Sequence, residues 1–150
     1  MTHDSFWFYH CLQEFGIEKT NKINKAAVKS MSQIEIKRIK KLFKIKNIET
    51  FEELKNLMNK AMELFKADFM EFHYTFPEKN KIHCEMGKCW AYEGIKRLNV
   101  IDNYQCAIYT RVEGWFEALN IKYNVSPPLE GCLKHEKGTC IRDYTFHFKE

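Results

Sequence analysis

Residues 69–87 read FMEFHYTFPEKNKIHCEMG, and their period decides the fold. Met70, Phe72, Tyr74 and Phe76 alternate with Glu71, His73 and Thr75, the two-residue repeat of a half-buried strand. Pro77-Glu78-Lys79-Asn80 has the chemistry of a turn. Ile82, Cys84 and Met86 then alternate with Lys81, His83 and Glu85 until Gly87 stops the pattern. The spacing predicts an antiparallel hairpin over 70–86.

Upstream of it the period is helical. Phe8, Cys11, Leu12 and Phe15 fall at helical spacing between Asp4, a good N-cap, and Gly16, a good stop, which predicts a helix over 5–15. A second helix is expected over 19–43, with Ile23, Ala27, Ser30, Met31, Ile34 and Arg38 as its stripe and Ile39 and Leu42 beside it. Thr50 and Glu53 match a capping box, in which each side chain satisfies an orphan backbone N–H of the other. That box opens a third helix, running to about residue 65. Downstream, short helices are expected over 88–98 and 103–119 and a strand over 120–125, before a break at Pro127-Pro128. A second hairpin is expected with arms 129–135 and 139–148 around a Glu136-Lys137-Gly138 turn.

The reading is therefore α+β: N-terminal helices packed on a C-terminal antiparallel sheet of two hairpins, with two intervening helices. At 150 residues the chain is expected to be a single domain, 1–150, with a helical part over 1–66 and a mixed part over 67–150. A chain of this length buries a real core without staples. Aromatic residues make up 15%, which fits either a bulky core or an aromatic-lined cavity. No apolar run reaches the length of a membrane span, and the N-terminus carries no basic segment followed by an apolar stretch. A cytoplasmic location is expected, and with it reduced cysteines.

The formal charge of +4 is unevenly spread. Between Lys19 and Lys46 there are nine Lys and one Arg against a single acid, Glu35. Such a basic helix (19–46) reads as a solvated face or as a surface for an acidic partner. No nucleic-acid motif accompanies it.

Five of the six cysteines lie after residue 83: Cys84, Cys89, Cys106, Cys132 and Cys140. Their spacing is neither that of a zinc ribbon nor that of a ferredoxin. Their positions carry more. Cys89 and Cys106 are expected in the first turns of helices, where unpaired N–H groups favour a thiolate. Cys132 and Cys140 are expected on the two arms of the last hairpin, as neighbours on one face. Cys11 reads as core, and Cys84 shares a strand face with Ile82 and Met86. Arg142 shares a face with Cys140, Tyr144, Phe146 and Phe148, so it is expected to be buried and to need a carboxylate or an anionic ligand.

Cys89-Trp90, Leu98-Asn99-Val100, Tyr104-Gln105-Cys106, Gly114-Trp115, Ala118-Leu119, Cys132 and Gly138-Thr139-Cys140 resemble a family of uncharacterised prokaryotic proteins. Phe6-Trp7, Phe15-Gly16 and the run Ile36 to Leu42 resemble the same family's N-terminus. More distantly, the layout is similar to the L-2-amino-thiazoline-4-carboxylic acid hydrolase family. There a Cys-initiated helix, a second helical Cys and a terminal strand opening on Cys stand where Cys89, Cys106 and Cys140 stand here. Trp90 replaces the Pro usual after the first Cys, and Cys140-Ile141-Arg142-Asp143 replaces the usual Cys-Asp-Phe. A fold-level likeness to 4-vinyl-reductase-type small-ligand domains rests on helices plus a sheet with Gly-x-Cys before the last strand.

Three functions follow as expectations. The first is a four-cysteine site, Cys89, Cys106, Cys132 and Cys140, holding zinc or an iron–sulfur cluster in a redox, sensor or structural role. The second, implied by the hydrolase resemblance, is a thiol hydrolase with Cys89 as nucleophile and Arg142 as anchor of a substrate carboxylate; His83, His135 or His147 would then be the candidate base. The third is a small-molecule binding module walled by Trp7, Phe8, Trp90 and Trp115.

Overall fold

The computed structural model describes residues 2–67 and 69–148, except the side chain of Thr2. Helix α1 runs Thr2–Leu42, broken at Gly16, whose φ of 72° and ψ of 172° are not helical. The break expected at Gly16 is therefore present, and the helix resumes directly beyond it. The Thr20 hydroxyl donates to the Gly16 carbonyl at 2.8 Å and bridges the kink.

Helix α2, Phe51–Phe65, opens on the capping box as expected. Glu53 N–H donates to Thr50 Oγ1 at 3.3 Å, and Thr50 N–H donates back to Glu53 Oε2 at 2.9 Å. Phe51, Leu54, Leu57, Met58, Ala61 and Met62 form its buried face.

Strands β1 (Phe72–Thr75) and β2 (Lys81–Met86) form the hairpin read from 70–86, with Tyr74 opposite Cys84. Helix α3 spans Trp90–Arg97, a 3-10 turn Ile101–Asn103, and α4 Ile108–Ala118. Strand β3 is Tyr123–Ser126, α5 is Leu133–Lys137, and β4 is Ile141–Phe146. The sheet is antiparallel, in the order β1-β2-β4-β3, with Cys84 opposite Arg142 and Val125 opposite Tyr144.

Two expectations need correction. The arm expected over 129–135 is not a strand. Leu133–Lys137 is a helical turn, stopped by Gly138 at φ 75°. Leu, Lys, His, Glu and Lys tolerate helix well, and a left-handed glycine ends it, so local propensity prevails over the hairpin pattern. Strand β4 pairs instead with β2 and β3. The second correction concerns α1, where the stripe Ile23, Met31, Ile34 and Leu42 is exposed. The face turned inward carries Thr20, Asn21, Ser32, Ile36 and Ile39.

That inward face packs on α4. A Cβ at Gly114 would meet Ser32 Oγ at 2.0 Å, so the two helices approach closely only because both residues are small. Beside this crossing, Glu35 accepts from Arg111 Nε at 2.9 Å and from Trp115 Nε1 at 2.8 Å. The core then continues through Ile36, Ile39, Leu54, Trp115 and Phe116 to Tyr144 and Phe146 on the sheet. A second, smaller cluster of Phe8, Ile95, Tyr104, Cys106 and Cys132 ties the start of α1 to the cysteine-bearing loops.

Candidate functional site

Four chain segments deliver one thiol each to a common place. Cys89 is the N-cap of α3, its sulfur accepting from Tyr92 N–H at 3.5 Å. Cys106 stands two residues before α4 rather than in its first turn, and its N–H donates to Gly131 O at 3.2 Å. Cys132 is the N-cap of α5. Cys140 leads into β4, its carbonyl accepting from Met86 N–H at 2.9 Å and from the Tyr109 hydroxyl at 3.2 Å. Cys132 and Cys140 are thus not arms of one hairpin. They are brought together by the α5 turn that separates them.

All four thiols line a single enclosed cavity of about 10 Å³, walled otherwise by apolar and aromatic residues and by Lys134. All four are buried and free. Ionisation of one would disfavour ionisation of the others: Cys89, Cys132 and Cys140 raise the Cys106 thiol, Cys89 and Cys132 raise that of Cys140, and Cys132 raises that of Cys89. Cys84, opposite Arg142 in the sheet, and Cys11 lie outside the cavity.

Burial dominates the thiol electrostatics. It pushes Cys106 up to about 12 and raises Cys89 and Cys140 above the ordinary thiol value. Several groups oppose it by favouring thiolates. The N–H groups of Tyr92 and Ala91 face Cys89, that of Ile108 faces Cys106, and the Tyr109 hydroxyl, 3.8 Å from Cys140 Sγ, faces Cys140. The Lys134 ammonium favours ionisation of both Cys89 and Cys140. It is held in place by donating to the Gly87 carbonyl and lies 5.8 Å from the Tyr92 ring. Among the described residues no three Cys, His, Asp or Glu side chains are placed so that they could grip a metal ion as they stand. The thiols share a cavity without forming a closed coordination sphere.

The other expected site residues fall elsewhere. Arg142 is buried, as expected, and the sequence reading missed its partner. Nη1 donates to Glu113 Oε1 at 2.5 Å, and the guanidinium lies 5.2 Å from the Tyr109 ring centre and 5.6 Å from that of Tyr144. Glu113 lies one turn beyond Tyr109 on α4, and only the buried Arg142 signalled that such a carboxylate must exist. His83 pairs with Asp143 at 2.6 Å and His135 with Asp102 at 2.8 Å. Neither these histidines nor the exposed His147 lines the thiol cavity, so Cys89 has no imidazole base beside it there. Trp115 is core, Trp7 and Trp90 are exposed, and none of the expected aromatic walls lines this cavity. No helix among the described residues is long and apolar enough to cross a membrane.

These features define an α+β protein with a small four-stranded antiparallel sheet and a buried cluster of thiols. The chain belongs to a family of unknown function, DUF6125, whose model matches residues 1–135. No curated protein and no solved structure matches it, and no link to the thiazoline hydrolases is shown.

Proposed function

We propose that Cys89, Cys106, Cys132 and Cys140 together hold a soft metal centre, a zinc ion or an iron–sulfur cluster, in a redox, sensing or structural role. The observation that carries this reading is the shared cavity: four thiols from four separate segments line one small space, walled otherwise by apolar and aromatic residues and by Lys134. Burying four thiolates without a cation is costly, and a soft divalent metal removes that cost.

The donor chemistry around the cavity suits such a group, which would have to draw the four thiols together around itself. The backbone N–H groups directed at Cys89 and Cys106 are the donors that orient thiolate ligands and moderate their charge, and the Tyr109 hydroxyl, which donates to the Cys140 carbonyl, accepts from the Cys140 thiol. Lys134 offsets part of the negative charge that four thiolates and a divalent ion leave. Zinc would supply a structural lock, and a cluster would supply one-electron redox chemistry. Loading requires the thiols to release protons that burial otherwise retains.

Metal and acid-labile sulfide analysis of anaerobically purified protein tests the reading, with Cys84→Ser as an internal control. Retained zinc, or iron with sulfide and visible absorption, is expected in wild type and Cys84→Ser, and is expected to be lost in Cys106→Ser. A metal-free, colourless and fully folded wild-type protein would contradict it.

A further inference from the structure

A second cavity, a cleft of about 320 Å³, opens between α1, α4 and the β3–β4 side of the sheet. Its volume suits a small molecule. Lys25 and Lys29 line it from α1, Glu113 and Glu117 from α4, and Arg142 from β4, with Val125 and Leu129 as its apolar lining. Most of these charges answer one another. Lys29 Nζ lies 2.7 Å from Glu117, and Arg142 donates to Glu113.

Two positive features are left over. Lys25 reaches the neutral Gln105 amide at 3.5 Å, and no ion pair is found for it among the described residues. Arg142 is 2% exposed, yet its Nε–H finds no acceptor among the described residues. An unmade hydrogen bond on a buried cation is a costly feature to retain unless something supplies the acceptor.

We propose that this cleft binds a small organic monocarboxylate. Its carboxylate would answer Lys25 and the Arg142 guanidinium, and its carbon body would rest on Val125 and Leu129. One surplus cation and one orphan donor suit a single negative charge better than a phosphate dianion. The apolar lining favours a carbon skeleton over an inorganic ion. The site does not depend on the metal reading, but it adjoins the thiols. Leu129 lines both cavities, and Arg142 lies over the Tyr109 ring whose hydroxyl is 3.8 Å from Cys140 Sγ.

Amide-detected NMR titration of the full chain with benzoate and with butyrate tests this. Benzamide, benzylamine and inorganic phosphate serve as the neutral, cationic and inorganic controls. Saturable shifts at Thr110, Val125 and Leu129 are expected with at least one carboxylate, at a Kd of about 1 mM or tighter. They should weaken about tenfold or more in Lys25→Glu, a partly exposed position whose folding the same spectra check. Three results would overturn the proposal: no saturable shift with either carboxylate, equal binding of benzamide or phosphate, or binding unchanged in Lys25→Glu.

Discussion

The Arg142 guanidinium on β4 and the Glu113 carboxylate on α4 meet at 2.5 Å, and this contact joins one of the two inner strands of the sheet to the helix α4. Arg142 is almost wholly enclosed, with 3% of its side chain exposed against 22% for Glu113. The Tyr144 hydroxyl also donates to Glu113, at 3.2 Å. Removing the carboxylate leaves a buried cation alone. Glu113→Ala is expected to destabilise by about 3 kcal/mol, and Glu113→Gln, which keeps an acceptor, by less. Urea denaturation checks both, and an alanine variant as stable as wild type would show that the pair does not hold helix to strand.

The crossing of α1 and α4 depends on Gly114. Adding a methyl there places it 2.0 Å from Ser32 Oγ but 3.3 Å from Ser32 Cβ. Gly114→Ala is therefore expected to cost about 1–3 kcal/mol, despite alanine's better helix propensity. Adding Ser32→Ala to it removes the clashing hydroxyl, so the double variant should recover most of the loss. A double-mutant cycle on thermal or urea stability reads the coupling.

Glu35 is the lone acid of the basic segment from Lys19 to Lys46, and it faces α4. It accepts from Arg111 and from the Trp115 indole, and Trp115 is 1% exposed. Glu35→Ala leaves the indole N–H and the guanidinium without their acceptor, and a loss of about 2–3 kcal/mol is expected. Trp115 fluorescence should shift to the red as its surroundings loosen, and an unchanged spectrum with unchanged stability would refute the role given to Glu35.

Burial raises the Cys84 and Cys106 thiols to about 12. These groups ionise in the unfolded chain at ordinary thiol values, near 9, before they ionise in the folded one. Their contribution to stability is therefore fully present below about pH 9 and is lost as pH rises toward 12. Metal-free protein should lose stability through that window, and less steeply in Cys84→Ala. With a metal bound to the four-cysteine site the sign reverses. Protons then compete for the thiolates, and the added stability should fall as pH drops.

The sequence reading succeeds where one local rule governs. The alternation over 70–86 and the Thr50–Glu53 box become a hairpin and a helix start because neighbours in the chain settle both. It fails on α1, where counting apolar residues selects Ile23, Met31, Ile34 and Leu42. The face that packs is polar and small. Ser32 fits against Gly114, and buried Asn21 donates to Asn103 O at 2.7 Å and accepts from Gln105 N–H at 3.1 Å. A close helix crossing rewards small size, and a pinned loop rewards an amide; neither raises hydropathy. The positions of Cys89 at a helix start and of Cys140 beside the last strand are legible in the sequence. The way Cys132 and Cys140 are brought together is not, because Leu133–Lys137 is too short for any period to separate helix from strand.

The metal's own coordination shell tests the central claim most directly. X-ray absorption at the metal edge should be recorded on anaerobically purified protein. A first shell made wholly of sulfur is predicted, at about 2.3 Å for zinc, or with an added iron–iron shell for a cluster. A first shell of nitrogen and oxygen, or an all-sulfur shell that persists in Cys106→Ser, would contradict the assignment to Cys89, Cys106, Cys132 and Cys140.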